Sequence, residues 1–197
     1  YLQYFDFTQS QSTPHSELQY NSEDGISYSF KAKDLVAAPW GAPSDALKSR
    51  GMFIGYGISV PELGYDDYEE VNITNKIVVM LSGLPESYRK LDLSLQGQAV
   101  HGDPIRKTIL AKNKGATGVI LVLGENEQLS SYQTNDLNQG KGYLSAQLRQ
   151  IDLPVFIVSF DAARFLFSAL FKKENLANTL PTLIRKINLS DILRVAT

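Results

Sequence analysis

The stretch Leu47 to Gly83, LKSRGMFIGYGISVPELGYDDYEEVNITNKIVVMLSG, holds two β-like apolar runs, Met52 to Val60 and Lys76 to Leu81. An acidic, tyrosine-rich link with almost no helix-forming pattern joins them, so two strands are expected to flank an exposed turn. Gly51, Gly55 and Gly57 lie in or beside the first run. A missing Cβ in such a run marks a bulge or a close backbone approach, and the sheet is expected to bend there.

Downstream, Asp103 and Pro104 provide the N-cap and first-turn proline of a helix, Ile105, Ile109 and Leu110 supply its apolar face, and Gly115 its C-terminal cap. Only Gly115 and Ala116 separate it from TGVILVL, Thr117 to Leu123, which reads as a fully buried strand. With Lys76 to Leu81 this makes a βαβ unit, expected to be right-handed. LPVFIVSF, Leu153 to Phe160, is another buried strand. Asp161 follows as the cap of a helix that carries Ala162, Phe165, Leu166, Ala169 and Leu170 on one stripe and ends near Lys173.

The flanks are weaker. Tyr4, Phe5 and Phe7 alternate like an edge strand before a polar loop around Pro14 and His15 that runs on to Asn21. ISYSFKAKDLV gives one or two short strands before Val36, and Pro39, Gly41 and Pro43 open a loop to Ala46. Two long polar connections, Gly83 to Gly102 and Gly124 to Asp152, show no sustained periodicity beyond a helical turn at Tyr143 to Gln150. Connections of that length are commonly functional or mobile. In the tail, Leu176, Leu180, Leu183, Ile184 and Ile187 suit a helix, but Pro181 interrupts it and Ile187 and Leu189 alternate, which favours a strand after Pro181.

At 197 residues, with 43% hydrophobic and 20% charged residues, the chain fits one domain with extensions and can bury a real core. The 19 Lys and Arg are scattered and the net charge is −2, so the basic stripe that a nucleic-acid backbone demands is absent. No apolar run has the length of a bilayer span, so none is expected. The lack of cysteine excludes disulfides, thiol catalysis and zinc-thiolate sites, and suits a reducing cytosol and a cysteine-avoiding exported protein equally.

Several motifs carry bland readings. Gly55-Tyr56-Gly57 lacks the third glycine of a nucleotide loop, with Val60 in its place and no helix start after it. Asp66, Asp67, Glu69 and Glu70 match no EF-hand spacing and read as a solvated acidic turn. His15 and His101 are too far apart to seed a zinc site, and His101 near Asp103 has no G-x-S-x-G elbow to complete a triad. The sequons at Asn72-Ile73-Thr74 and Asn188-Leu189-Ser190 receive no role. No catalytic, cofactor-binding or metal-ligating residue is therefore assigned.

Taken together, FIGYGISVPELGYDDYEEVNITNKIVVMLSG, KTILAKNKGATGVILV and LPVFIVSF resemble the protease-associated domain. More narrowly, they resemble the version inserted into co-catalytic zinc aminopeptidases, the family of glutamate carboxypeptidase and transferrin receptor relatives. The matching residues are Gly55, Tyr56 and Gly57, then Asp66, Asp67 and Tyr68, Lys76 with Ile77 and Val78, and Lys112 through Gly115, Ala116 and Gly118. The resemblance covers roughly Arg50 to Leu170. Where the family has Gly-Lys this chain has Asn75-Lys76. Asparagine tolerates the left-handed conformation well, so the turn is expected to survive with φ above zero at Asn75.

The resemblance implies an α/β fold: a β-rich swivelling β/β/α domain with a bent sheet or open barrel, two or three flanking helices and one βαβ unit. It implies residues 1–24 as a lead-in strand and linker from a peptidase domain, 25–175 as the protease-associated domain, and 176–197 as a return strand. The family's zinc ligands and general base lie in the peptidase domain, and no stretch here matches them, so no cofactor is expected in this chain. The implied partners are that peptidase domain and a peptide or protein substrate, and the implied location is secreted, periplasmic or cell-envelope. The implied role is a non-catalytic lid or substrate-positioning module. A free-standing protein- or peptide-binding module is the alternative. An insert must leave and re-enter its host at nearby points, so adjacent or paired terminal strands are expected, through Tyr4, Phe5 and Phe7 at one end and Ile187 and Leu189 at the other.

Overall fold

The computed structural model describes residues 17–21, 27–44, 47–86, 95–133, 151–163 and 192–196. Its centre is three parallel strands: β7 (Ile77–Leu81), β8 (Gly118–Val122) and β9 (Val155–Val158). Their sequences are almost wholly apolar because both faces of this sheet are covered. The register makes the sorting explicit. Phe53, Val79, Ile120 and Phe156 lie across from one another and feed one hydrophobic cluster, while Met52, Val78, Val119 and Val155 feed the other.

The sheet grows outward from this centre in the order β2 (Ser27–Ser29), β1 (Glu17–Asn21), β10 (Ile192–Ala196), β4 (Leu47–Phe53), β7, β8, β9, β3 (Leu35–Ala37). On one side β3 (Leu35–Ala37) pairs antiparallel with β9. On the other, β4 (Leu47–Phe53) changes partner midway: Leu47 to Arg50 pair antiparallel with β10 (Ile192–Ala196), and Gly51 to Phe53 pair parallel with β7. Beyond β10 lie β1 (Glu17–Asn21) and β2 (Ser27–Ser29). The two ends of the order, β2 and β3, are not paired to each other among the described residues, so the β-rich α/β sheet is open, not a closed barrel.

Between β7 and β8 the described residues include helices α1 (Leu95–Gly102) and α2 (Pro104–Asn113). The punctuation of α2 is as its sequence predicts. The Asp103 carboxylate accepts from the Ile105 N–H at 2.8 Å, with Pro104 in the first turn. At the other end Gly115, at φ 95°, donates to the Lys112 carbonyl at 2.8 Å and Ala116 donates to the Ala111 carbonyl at 3.1 Å. That pair of bonds is a Schellman motif, which requires the left-handed residue that glycine provides. A short helix α3 (Ser130–Gln133) follows β8, and residues 160–163 begin another after β9. No described helix is long and apolar enough to cross a membrane.

Several boundaries differ from the sequence reading. The first run is not one strand to Val60. Gly55 at φ 84° and Gly57 at φ 69° turn the chain after Phe53, and a separate strand β5 (Ser59–Val60) begins beyond them. β1 occupies residues expected to be loop, because ELQYN is too short and polar to signal a strand alone. Likewise α1 lies in a polar connection whose sequence shows no sustained periodicity. The helix after β9 starts at Phe160, so Ser159 is its cap, its Oγ accepting from the Ala162 N–H at 3.3 Å, and Asp161 lies in the first turn. The buried residues of α2 are Ile105, Lys107, Thr108 and Ala111, whereas Ile109 and Leu110 are only partly buried.

The terminal regions do pair: β1 runs antiparallel to β10, Glu17 opposite Ala196 and Asn21 opposite Ile192. The residues named for this pairing, Tyr4, Phe5, Phe7, Ile187 and Leu189, lie outside the described residues, as do His15, the Asn188 sequon, the turn at 143–150 and the stripe beyond Ala163.

Candidate functional site

Six of the residues that single this chain out in sequence, Gly55, Tyr56, Gly57, Asp66, Asp67 and Tyr68, gather at the carboxyl ends of the parallel strands. After β4, Gly55 and Gly57 fold the chain into a turn, and the Gly55 carbonyl accepts from the Leu81 N–H at 2.7 Å. A Cβ on Gly57 would stand 2.8 Å from the Met80 sulfur, so the close approach joins the left-handed backbone in favouring glycine there. From this turn projects a small finger: β5, a 3-10 turn at Pro61–Leu63, and β6 (Tyr65–Asp66), closed by Gly64 in the left-handed conformation. At its tip Leu63 is the exposed large hydrophobic of the described residues, at 39% exposure.

Asp67 holds the finger to the turn. One carboxylate oxygen, Oδ2, accepts from the N–H groups of Tyr56 at 3.1 Å and Ile58 at 3.0 Å, and Oδ1 accepts from the Tyr65 hydroxyl at 2.9 Å. Its own N–H donates to the Ile58 carbonyl at 2.8 Å. Asp66 works alongside, accepting from the Tyr68 N–H at 2.9 Å. Burial pushes the Asp67 carboxyl up to about 6, against the opposing pull of those donors and of Lys107. Tyr68 is buried beneath, and desolvation, then the Asp67 and Asp66 charges, drive its hydroxyl well above the usual tyrosine range.

Lys107 is the residue that sequence reasoning missed. It sits on the buried side of α2 at 2% exposure, donating from Nζ to the Leu81 carbonyl at 3.2 Å and to the Gly83 carbonyl, 5.7 Å from the centre of the Tyr56 ring. Desolvation pulls its ammonium down to about 8, opposed by Asp67, Glu127 and Asp103. Nearby, the Ser82 hydroxyl donates to Glu127 Oε2 and accepts from the Gly124 N–H at 2.9 Å, tying the exit of β7 to the exit of β8. A signal for Lys107 existed: it precedes Thr108 and lies four residues before Ala111, within the arc that α2 buries.

The remaining singled-out residues form a second joint at the opposite ends of the strands. Asn75, at φ 59°, carries the expected left-handed turn into β7 and donates from its N–H to the Gly115 carbonyl at 2.9 Å. Lys76 donates to the Asn72 carbonyl through Nζ, and its own carbonyl accepts from the Thr117 N–H at 2.9 Å. Lys112 pairs with Asp152 at 2.8 Å, and that bond holds the Asp152 carboxyl below its ordinary range. Ala116 is buried, and Gly118 faces Leu47, Ile77 and Pro154 closely.

The decoys resolve into structural parts. Asp103 is a helix cap and His101 lies in the last turn of α1. Asn72 is exposed and its Oδ1 accepts from the Thr74 N–H at 3.0 Å. Among the described residues no group of three or more His, Cys, Asp or Glu side chains is arranged to hold a metal ion. What the geometry does is fix the direction of a projecting finger.

No family model matches the chain, and no curated protein matches it in sequence. Among solved structures it is similar to an aminopeptidase from Aneurinibacillus sp. strain AM-1, at 11% identity and TM-score 0.49, with 96% of this chain and 31% of that chain covered. It is similar also to BSAP, a zinc aminopeptidase from Bacillus subtilis, at 14% identity and TM-score 0.45, with the same shares covered, 96% and 31%. The chain spans about a third of the length of those enzymes.

Proposed function

We propose that this chain is a non-catalytic protease-associated domain of an exported zinc exopeptidase of the aminopeptidase type, acting as a lid or positioning surface for peptide substrates. The observation that carries the reading is the pairing of β1 with β10, which sets Glu17 directly opposite Ala196. Chain entry and exit on adjacent antiparallel strands is the geometry that lets a domain be spliced into a host without disturbing it. The resemblance in sequence supports the same reading, because its residues Gly55 to Gly57, Asp66 to Tyr68 and Lys112 to Gly118 all serve to set loops and joints.

Zinc and the general base belong, on this reading, to a peptidase domain of the same parent chain, and no reaction step is assigned to residues here. The test is the parent enzyme with residues 17–196 excised and the two adjoining ends joined. Hydrolysis of a small aminoacyl anilide should persist, while the preference among longer peptides should change. Unaltered peptide preference, or a parent reading frame with no co-catalytic zinc ligand set, would overturn the proposal.

A further inference from the structure

We propose that the polar face of the strand ribbon β1-β10-β4 is a docking surface for an acidic patch of the parent peptidase domain, gripped by Lys48, Arg50 and Arg194 beside the point where the chain enters and leaves. The inference rests on the reading of this chain as an inserted domain. Lysine and arginine are scattered along the sequence, and sheet register gathers these three. Arg194 on β10 lies directly opposite Lys48 on β4, and Arg50, the next residue on the same face of β4, lies opposite Ile192. Gln19 and Asn21 of β1 and Ser27 and Ser29 of β2 occupy register positions on that face. Along β4 the face reads Lys48, Arg50, Met52: the first two are exposed, and Met52 is buried in the core cluster. The apolar cover of this side of the sheet therefore ends between Arg50 and Met52. The opposite face carries the ribbon's own apolar contacts, with Leu18 completely buried and Leu47 packed against the cluster of Phe53, Ile77 and Val79.

The ribbon itself gains nothing from these cations. Like charges directly across an antiparallel pair repel, so Lys48 opposite Arg194 works against the pairing of β4 with β10. Among the described residues neither Lys48 nor Arg50 makes an ion pair. Glu17 is the one carboxylate of strands β1, β2, β4 and β10, and its Oε1 accepts from Gln19 Nε2 at 2.8 Å. Charges that guard a sheet against edge pairing belong on edge strands, and β4 and β10 are interior to this sheet. The face is also where a host must come close. Glu17 opposite Ala196 is the outermost pair of β1 and β10, and the row of Arg194 and Lys48 stands two residues in from it, about 7 Å along the strands. A domain joined to both ends is held against this end of the ribbon. Carboxylates on its surface would turn a repulsive row into charge-assisted hydrogen bonds, bidentate at each guanidinium.

Amine acylation read by mass spectrometry tests whether Lys48 is covered, with the exposed Lys33 as internal reference. In the 197-residue chain the two lysines should react at similar rates. In the intact parent enzyme at low salt, Lys48 should react about tenfold more slowly relative to Lys33, the scale of one hydrogen-bonded charge pair. That protection should shrink as salt is raised to about 1 M, where the screening length falls to about 3 Å. Lys48→Glu removes the cross-strand repulsion, so the 197-residue chain should be at least as stable as the wild type. In the parent the same substitution should open Arg50 to a dicarbonyl reagent that spares it in the wild-type enzyme. Lys48 as reactive in the parent as in the chain, protection that ignores salt, or a chain that Lys48→Glu destabilises would each overturn the docking. Should the variant fail to fold, the wild-type labelling and its salt dependence decide alone. A parent without a peptidase domain removes the function proposed above together with the docking, whereas a peptidase parent with a reactive Lys48 removes the docking only.

Discussion

Strand β7 and the finger adjoin, the Leu81 N–H bonding to the Gly55 carbonyl, yet opposite physics holds them. In β7, Ile77, Val78, Val79 and Met80 are completely buried and contribute through apolar area and close packing. In the finger, the attachment is a set of hydrogen bonds converging on one carboxylate, with a buried ammonium behind it. Apolar burial is insensitive to pH. Buried charges are not, and they are retained at a cost in desolvation. The core should therefore respond strongly to lost volume, and the finger to protons.

The largest effect should come from the core. Phe156 has no exposure and touches the cluster that Phe53, Val79 and Ile120 build across the sheet. Phe156→Ala should cost about 3–5 kcal/mol in chemical denaturation, with little change in its pH profile. A loss below about 1 kcal/mol would mean that the core is far more plastic than its burial implies.

A smaller effect separates the charged region. The native value of Lys107, about 8, lies below the ordinary 10.5, so its contribution to stability is full above 10.5 and is lost as pH falls through about 8. Stability should rise by about 1–2 kcal/mol between roughly pH 7.5 and pH 9.5. Beyond that range Tyr68 acts in the opposite sense, because its raised value makes the native state retain a proton that the unfolded state releases. Lys107→Met should flatten the rise. A wild-type profile that is level or falling across this window would show that the ammonium is not desolvated.

The same contrast explains what the sequence made legible. Parallel strands buried on both faces read directly as VVM, GVILV and VFIV, and α2 announced itself through Asp103, Pro104 and Gly115. Helix α1, LQGQAVHG, has too few apolar residues to show a period, so it looked like loop. β1 depends on its neighbours β10 and β2, distant information that a five-residue string does not carry. The finger's residues were singled out by resemblance, but their bonding was not readable, because a carboxylate that gathers backbone N–H groups has no spacing rule. Lys107 was hidden by the habit of placing lysine in solvent.

The smallest effect tests whether Asn75 belongs with the backbone-determined core or with the side-chain-determined finger. Its φ of 59° is left-handed, a conformation that costs most residues about 1–2 kcal/mol and asparagine less. Its backbone does the visible work, the N–H donating to Gly115 and the carbonyl accepting from the Ser49 hydroxyl. Glycine adopts the same φ freely but loses more chain entropy on folding, and the two contributions nearly offset. Asn75→Gly should therefore shift stability by less than about 0.5 kcal/mol, whereas Asn75→Val, which keeps the backbone groups but resists the conformation, should cost about 1–2 kcal/mol. Equal losses in the two variants would mean that the asparagine side chain itself holds the turn, as Asp67 holds the finger. Thermal melts of the pair decide the matter, since only conformational preference separates glycine from valine at an exposed position.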